Sequence, residues 1–325
     1  MRRRELIGII ALASFVARYE SSAAQTTPKT IRLAYLAPIR IPHLVEALTG
    51  GLRDLGYVEG QNLSIEYRFA GENPEHFDLL AIELVKLAPQ VIVTVATPAT
   101  LAAGRATSSI PIVVATAGDR VRSGAVQSLA RPGGNVTGVT LYSVELSKKR
   151  LEVLREAIPT VKRIGVLGNA NNLYNRLQWE DTEPAAAPLG LELRPIFANG
   201  VGDLEAVFSN LGNERLDALV LLSDATFNAE RHRIARLADA LRIPTMHDAR
   251  EFVEAGGLIS YGPNIPALSR QAATFVDKIL KGALPADLPV EQPSIFELVI
   301  NQRAARLLNL SIPPTLLARA DEVIE

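Results

Sequence analysis

The sequence predicts an α/β protein made of two doubly wound lobes of parallel sheet that are joined by a hinge. Three observations carry this prediction. Short apolar runs alternate with amphipathic stretches, and the whole alternation occurs twice in series. Crossovers of helical length separate successive strands, which forces parallel pairing within each series. Hydrophobic residues make up 48% of the 325 residues and aromatic residues only 5%, so the core must be largely aliphatic, as in sheets covered by helices on both faces.

The first 24 residues predict an export signal that is not part of the fold. Arg2, Arg3 and Arg4 precede an apolar run from Leu6 to Val16, and a small-residue cleavage site follows at residues 22–24. The run falls short of the roughly twenty residues that span a bilayer, although an N-terminal anchor or a buried helix is an alternative. The arginines also suit a twin-arginine signal, so Sec and twin-arginine export both stay open. We expect the mature protein in the periplasm.

Composition narrows the environment and the partners. The chain contains no cysteine, so it can be neither a lipoprotein with a modified N-terminal cysteine nor a disulfide-stabilised protein. Its formal net charge is -1, which gives no field to gather nucleic acid or acidic lipid. We expect a monomer that binds no nucleic acid.

The first series of strands begins directly after the predicted signal. A helix from Leu44 to Leu55 follows its first strand, with leucines at helical spacing and Gly56 as the stop. The strands are predicted at Ile31 to Ala37, Leu63 to Tyr67, Val91 to Ala96, Ile112 to Ala115, and Val136 to Leu141.

The second series follows a helix predicted from Glu145 to Ile158. Periodicity shows one junction between the series, near Tyr142 and Ser143, and no low-complexity linker. Pro184 and Pro188 interrupt the helix expected after Asn172, which predicts a broken or shortened helix there. The strands are predicted at Arg163 to Leu167, Glu192 to Phe197, Ala218 to Leu222, Pro244 to His247, and Leu258 to Tyr261.

Polar residues follow these strands at their carboxyl ends, where ligands bind in open α/β sheets. In the first lobe Thr97 precedes Pro98, which predicts a helix with Thr97 as its N-cap and with free N–H groups for a ligand carboxylate. A cap that serves only its own helix fits the same pattern. In the second lobe Asp224 follows a strand, and two roles fit it equally well, an N-cap and a partner for a ligand ammonium group.

Several longer strings carry a resemblance to a known family. They are Leu55 to Asn62 (LGYVEGQN), Arg131 to Val139 (RPGGNVTGV), Glu251 to Gly262 (EFVEAGGLISYG), Phe296 to Asn301 (FELVIN), and Ala318 to Ile324 (ARADEVI). These strings, with the MRRRE start, resemble the ABC-transporter substrate-binding proteins of tryptophan/tyrosine-type uptake systems. The resemblance covers nearly the whole chain.

The resemblance implies a type I periplasmic-binding fold that closes on a small ligand and delivers it to a membrane permease with its ATPase. Relatives of this type bind aromatic amino acids, and none of this requires a cofactor. The implied lobes are residues 29–142 with 263–289, and residues 143–262 with 290–325, joined by three hinge strands. The expected function is therefore that of a periplasmic binding component of an importer, with a ligand-sensing protein of the same fold as the alternative.

By position, the resemblance implies a set of ligand-contacting residues. Thr97 and Asp119 would line the first lobe's side of the cleft. Asn171, Asp224 and Tyr261 would line the second lobe's side. We hypothesise that amides near Thr97 take the ligand carboxylate, that Asp224 takes its ammonium group, and that Tyr261 or Tyr142 packs against its body.

Two features depart from the family pattern or favour another class. The loop Pro38 to His43 is bulky and carries Arg40, which is either a solvated residue or a contact for an extra anionic group. A carboxylate ligand without an amine therefore stays open as an alternative.

A pairing of Asp224 with Asp248 or Glu251 would suit a hydrolase. The four histidines are scattered and no catalytic or metal motif occurs, so we predict a binding protein and not an enzyme.

Overall fold

Two sheets organise the computed structural model, which describes residues 30–71, 73–119, 121–141 and 144–325. The predicted export signal and Tyr142 lie outside the described residues. Residues 31–325 form one compact unit. The first sheet has five strands in the order β2-β1-β3-β4-β5, and the second has seven in the order β12-β11-β10-β9-β8-β6-β7. We call the layers around the first sheet lobe 1 and those around the second lobe 2.

Lobe 1 begins with a regular alternation of strands and helices. Its five strands pair in parallel throughout. Asn73 caps one helix by accepting from the backbone N–H of Glu75, with a proline in the first turn. The elements are β1 Ile31–Ala37, α1 Pro42–Asp54, β2 Leu63–Phe69, α2 Pro74–Lys86, β3 Val91–Val95, α3 Thr97–Ala106, β4 Ile112–Thr116 and β5 Val136–Gly138.

Lobe 2 repeats this design in the middle of the chain. Strands β6 to β10 pair in parallel with one another. The elements are α4 Val144–Ala157, β6 Arg163–Asn169, α5 Leu173–Ala186, β7 Glu192–Ala198, α6 Leu204–Leu211, β8 Ala218–Leu221, α7 Ala225–Ala229, α8 Arg231–Ala240, β9 Thr245–His247, α9 Arg250–Glu254 and β10 Ile259–Pro263.

The last sixty residues return to both lobes. Helix α10, Ile265–Leu280, packs on α1 and β4 of lobe 1, and a Cβ on Gly51 would lie 2.8 Å from the carbonyl oxygen of Arg270, so the two helices need glycine there. The chain then pairs Glu291 with Val139 beside β5 and enters lobe 2. There it forms β11 Phe296–Asn301, α11 Gln302–Leu307, α12 Pro314–Leu317 and β12 Glu322–Ile324.

Both faces of each sheet are covered, which leaves apolar layers on either side. In lobe 1 one layer joins Leu48 and Leu52 of α1 to Val276 of α10, and the other joins α2 and α3 to the opposite face. In lobe 2 one layer contains α4 and the C-terminal helices, and the other contains α6, α7 and α8. Each fully buried leucine or valine in these layers contributes about 1.5–3 kcal/mol.

The structure confirms the predicted fold class and corrects some local predictions. Strand β5 ends at Gly138 and not at Leu141, and β11 runs antiparallel to β10. The chain passes between the sheets three times, not at the single junction that periodicity shows. The detailed limits of the lobes stay a prediction.

The predicted break in the helix after Asn172 is wrong. Helix α5 runs continuously through Pro184 and only then tightens into a 3₁₀ turn, Ala187–Leu189, that ends at Gly190 with φ of 67°. Pro184 lies in the last turn on the exposed side, so the carbonyl group that loses its partner can be solvated. None of the helices in the described ranges is both long and apolar enough to cross a membrane.

Candidate functional site

A pocket with a cavity volume of about 50 Å³ lies between the carboxyl ends of the strands of both lobes. Lobe 1 contributes Ile41, Leu44, Val95, Ala96, Thr97, Thr116, Ala117, Gly118, Leu141 and Ile265. Lobe 2 contributes Asn172, Tyr174, Ser223, Asp224, Ala225, Asn228, Asp248 and Ala249. A shared, largely apolar cleft with a few polar groups is the usual form of a small-molecule site.

The start of α3 forms the floor on the lobe 1 side. Ala96 is the N-cap, with φ of 71° and ψ of 154°, and Pro98 lies in the first turn. The predicted N-cap role of Thr97 is therefore wrong by one position. Thr97 is buried and its Oγ1 accepts from the backbone N–H of Gly118 at 3.3 Å. The N-terminus of a ten-residue helix thus lies at the cleft through Ala96 and Thr97, where the helix dipole favours an anion.

Gly118 brings the two lobes into direct contact. A Cβ on this residue would lie 1.9 Å from the ring of Tyr174 across the cleft. Its carbonyl oxygen accepts from Thr140 Oγ1 at 2.8 Å, which fixes the loop after β4. Tyr174 is buried, and burial raises the pKa of its phenol, so the hydroxyl stays neutral. Only glycine permits this approach of lobe 1 to the aromatic ring.

A buried amide network shapes the wall on the lobe 2 side. Asn175 and Gln178, on one face of α5, hold the loops that follow β6 and β8. Asn175 Oδ1 accepts from the backbone N–H of Asn169 at 2.7 Å and its Nδ2 donates to the carbonyl of Ser223 at 2.8 Å. Gln178 Oε1 accepts from the backbone N–H of Ser223 at 2.9 Å. The positions of the polar residues at the pocket are therefore fixed from behind.

Asp224 is the centre of the loop after β8. It is the N-cap of α7, and its Oδ1 accepts from the backbone N–H groups of Thr226 at 2.9 Å and Phe227 at 3.0 Å, and from the Thr226 hydroxyl. Its Oδ2 accepts from Asn172 Nδ2 at 2.9 Å and Asn169 Nδ2 at 3.2 Å. Both carboxylate oxygens are thus already occupied within lobe 2.

Asp248 and Asn228 differ from Asp224 in their bonding. Both are 7% exposed and both line the pocket. Within the described ranges, the Asp248 carboxylate has no hydrogen-bond or ion-pair partner, and Asn228 Oδ1 is buried without a donor. The strand-end rule points to Asp248, which directly follows β9, although from the sequence it is expected only as half of a catalytic pair. Asn228 carried no signal, because it lies within a short helix.

The other predicted site residues lie in different surroundings. Asn171 is exposed and lines a shallow groove at the edge of the cleft. Asp119 is buried under its own turn, where Oδ1 accepts from the backbone N–H groups of Val121 and Arg122. Tyr261 stacks against Phe296 with a ring separation of 6.1 Å and packs on the lobe 2 core. Among the residues the structure describes, Thr97 and Asp224 are therefore the predicted pair that the pocket brings together.

Arg40 does not line the pocket. Its guanidinium lies over the ring of Tyr67, 5.7 Å from the centroid, and the side chain is exposed. Its loop contributes an apolar side chain instead, because Ile41 forms part of the pocket wall.

Charged contacts also join the lobes outside the pocket. Arg122 Nη1 lies 2.7 Å from Asp181 Oδ1 on α5, and Nη2 bonds Glu180. On the other side His43 Nε2 lies 3.3 Å from Glu251 Oε1, and burial raises the pKa of the Glu251 carboxyl. With Ile41 and Leu44 packed against the lobe 2 core, these contacts describe a closed cleft.

His247 lies behind the lobe 2 wall. It is fully buried, stacked on Phe252 at 4.1 Å between centroids, and neither ring nitrogen has a partner in the described part of the chain. Burial, together with the nearby Arg150 charge, lowers the pKa of His247 to about 3. The imidazole is therefore neutral, and His247 is not one of the residues that line the pocket. No group of three or more metal-ligating side chains occurs within residues 30–325, leaving aside the four undescribed positions there.

The family of this chain follows from a sequence match that covers almost the whole fold. The profile described as ABC transporter substrate binding protein matches residues 37–324. The chain therefore belongs to the ABC transporter substrate-binding proteins, as the resemblance of its sequence strings implied.

Individual relatives agree with this membership. A protein of Vibrio cholerae has a structure with a TM-score of 0.86 at 32% identity, covering 91% of this chain and all of that one. The ABC domain from Streptococcus pneumonia in complex with L-Trp gives a TM-score of 0.85 at 26% identity, with the same coverage. The tyrosine-binding protein of Clostridioides difficile is 27% identical over 273 residues, which is 83% of this chain and 78% of that protein.

Proposed function

We propose that this protein captures an amino acid with an aromatic or other large apolar side chain between its lobes. The observation that carries the proposal is the polarity of the pocket. A helix N-terminus lies on one wall, carboxylates lie on the other, and aliphatic side chains lie between them. Only a ligand with an anionic end, a cationic end and an apolar body complements all three. The tryptophan complex and the tyrosine-binding relative support the same ligand class.

The closed cleft suggests how each part of the ligand would be held. The ligand carboxylate would lie at the first N–H groups of α3, beside Thr97. The ammonium group would lie against the acidic wall of lobe 2, and the body would pack on Ile41, Leu44 and Leu141. Charge-assisted hydrogen bonds in a water-poor cleft are strong and directional, which suits selective capture.

We also propose the transport setting that the family implies. The protein would be exported to the periplasm by its N-terminal signal, act as a monomer, and release its ligand to an ABC permease powered by an ATPase. It would bind and not catalyse, because the family to which it belongs is one of substrate-binding proteins. A cell lacking the gene should lose uptake of the ligand. Normal uptake would favour a sensing role.

A thermal-shift screen of residues 25–325 tests the ligand class. The panel contains the twenty amino acids and the amine-free counterparts of the aromatic ones, such as indole-3-propionate. A ligand at one hundred times its Kd stabilises the native state by about 2.7 kcal/mol. We expect shifts with Trp, Tyr or Phe. Shifts only with amine-free acids, or none across the panel, would contradict the proposal.

A further inference from the structure

Two aspartates line the pocket, and their bonding assigns them different roles. Asp224 accepts hydrogen bonds from five donors, all from lobe 2. A carboxylate offers about four lone-pair sites, so this group has no capacity left for a ligand. Because the same bonds cap α7 and tie together the loops after β6 and β8, Asp224 holds the wall in place.

Asp248 has the opposite arrangement. It is 7% exposed, lines the pocket, and has no bonded partner within the described residues. Its backbone is fixed, since a Cβ on Gly262 of the neighbouring strand would lie 1.9 Å from the Asp248 carbonyl oxygen. Its carboxylate oxygens are not fully buried, because they open onto the pocket.

The cation in this neighbourhood does not neutralise Asp248 directly. Arg150 is buried, and its Nε donates to the carbonyl oxygen of Tyr261 at 2.8 Å. Its guanidinium forms no ion pair of 4 Å or less with any carboxylate in the described part of the chain. The positive charge of Arg150 can partly offset the negative charge of Asp248 from a distance, but Arg150 does not donate a hydrogen bond to that carboxylate.

Asn228 supplies a second acceptor to the same pocket. Its Oδ1 is buried, and no donor within the described residues reaches it. Tyr174, whose hydroxyl stays protonated, completes this side of the pocket. A carboxylate and an amide oxygen that both lack donors complement a group carrying several N–H bonds and a positive charge.

We infer that Asp248, with the amide oxygen of Asn228, binds the ammonium group of the ligand, and that Asp224 is a positioning residue that does not touch it. The inference rests on the proposed function, because it assumes an amino-acid ligand. It replaces the role hypothesised for Asp224 from the sequence. It also sets specificity, since an acid lacking the amine would leave Asp248 unpaired.

The test compares Asp248→Asn, Asp224→Asn and the exposed control Asp239→Asn by calorimetric titration with L-tryptophan, L-tyrosine and indole-3-propionate. Losing one partner of a buried charge pair costs about 30-fold or more in affinity. We expect Asp248→Asn to weaken amino-acid binding by that factor while indole-3-propionate binding is unchanged or tighter. Asn228→Ala should weaken amino-acid binding by about 5- to 10-fold. The Asp239 control should bind as the parent does.

Melting of the ligand-free variants gives a second readout. Asp248→Asn should melt close to the parent temperature, because the Asp248 carboxylate makes no hydrogen bond within the described residues. Asp224→Asn should melt several degrees lower, because an amide cannot accept all five hydrogen bonds. If Asp248→Asn binds amino acids as the parent does, or melts as low as Asp224→Asn, the inference is overturned and the proposed function stands. A parent protein that binds neither amino acid overturns both.

Discussion

The two walls of the pocket present different chemical groups to a ligand. The ten residues that lobe 1 contributes are all uncharged, and its polar contribution comes from two threonines and the backbone at the start of α3. Lobe 2 contributes two aspartates, two asparagines, a serine and a tyrosine. Lobe 1 therefore supplies shape and backbone N–H groups, and lobe 2 supplies charge and acceptors. A ligand that needs both walls is held only when the lobes are closed.

The walls also differ in what a substitution should do. On the lobe 1 side, added volume at a small residue should obstruct closure without affecting the charge. On the lobe 2 side, loss of a side chain should change electrostatics without affecting closure. Three changes outside the aspartate pair test this contrast.

The largest effect is expected at Gly118. Alanine there would place its Cβ within 1.9 Å of the Tyr174 ring in the closed cleft. The φ of Gly118 is not positive, so the open form should accept alanine without strain. We expect Gly118→Ala to weaken ligand binding by about 100-fold or more, because cleft closure is worth several kcal/mol of contacts. Calorimetric titration measures the loss, and small-angle scattering should show no compaction with ligand.

Gly104→Ala provides the matched control. This glycine lies in α3 with no atom within 4 Å of the added Cβ, so binding should be unchanged and the helix slightly more stable. Tight binding by Gly118→Ala would show that the lobes do not meet at this point in the ligand-bound state.

The next effect concerns His247, behind the lobe 2 wall. Its pKa is about 3 in the folded protein, against an ordinary value near 6.5 in the unfolded chain. The unfolded state therefore binds more protons between these values, and stability is lost as the pH falls from about 6.5 toward 3. At pH 5 the loss is about 2 kcal/mol. Urea unfolding across this range should show it.

Substitution isolates the contribution of this imidazole. His247→Met keeps an apolar side chain of similar volume against Phe252, and it should flatten the pH dependence of the unfolding free energy between pH 5 and 7. His232→Gln, at an exposed position on α8, should leave that dependence unchanged. An equally steep dependence in His247→Met would assign the acid lability to other groups.

The smallest effect is expected at Arg122, outside both walls. Its side chain is 32% exposed where it bonds Glu180 and Asp181 across the cleft, so solvent and salt screen the pairs. Arg122→Ala should weaken ligand binding by about two- to fivefold at low ionic strength and less at high ionic strength. Arg131→Ala, exposed on the same lobe, is the control. A loss that does not vary with salt would mean that Arg122 acts by shape and not by charge.

The sequence predicted the lobes well and the pocket only in part. Apolar runs marked most strands because buried parallel strands read as near-continuous hydrophobic segments. The rule that ligands lie at strand ends pointed to Thr97 and Asp224, and both of these residues line the pocket. It could not show that Asp224 is saturated, because Asn169 and Asn172, which bond it, lie about fifty residues earlier in the chain and reach it only through the fold.

Other features of the site depend on contacts that no local pattern carries. Asp248 is unpaired within the described residues because no donor from a distant part of the chain reaches its carboxylate. The role of Gly118 likewise depends on Tyr174 from the opposite lobe. Periodicity likewise showed one junction between the lobes, because each return crossing uses an ordinary strand or helix. These features depend on contacts between residues that are far apart in the chain. A single sequence reveals such contacts only through its resemblance to known folds.

The most direct test of the account is the affinity of the parent protein for an amino acid and for the same molecule without its amine. Calorimetric titration of residues 25–325 with L-tryptophan and with indole-3-propionate makes this comparison at constant body and carboxylate. The account predicts that tryptophan binds at least about 30-fold more tightly, because only tryptophan pairs with the acidic wall of lobe 2. Equal affinities, or tighter binding of the amine-free acid, would contradict it.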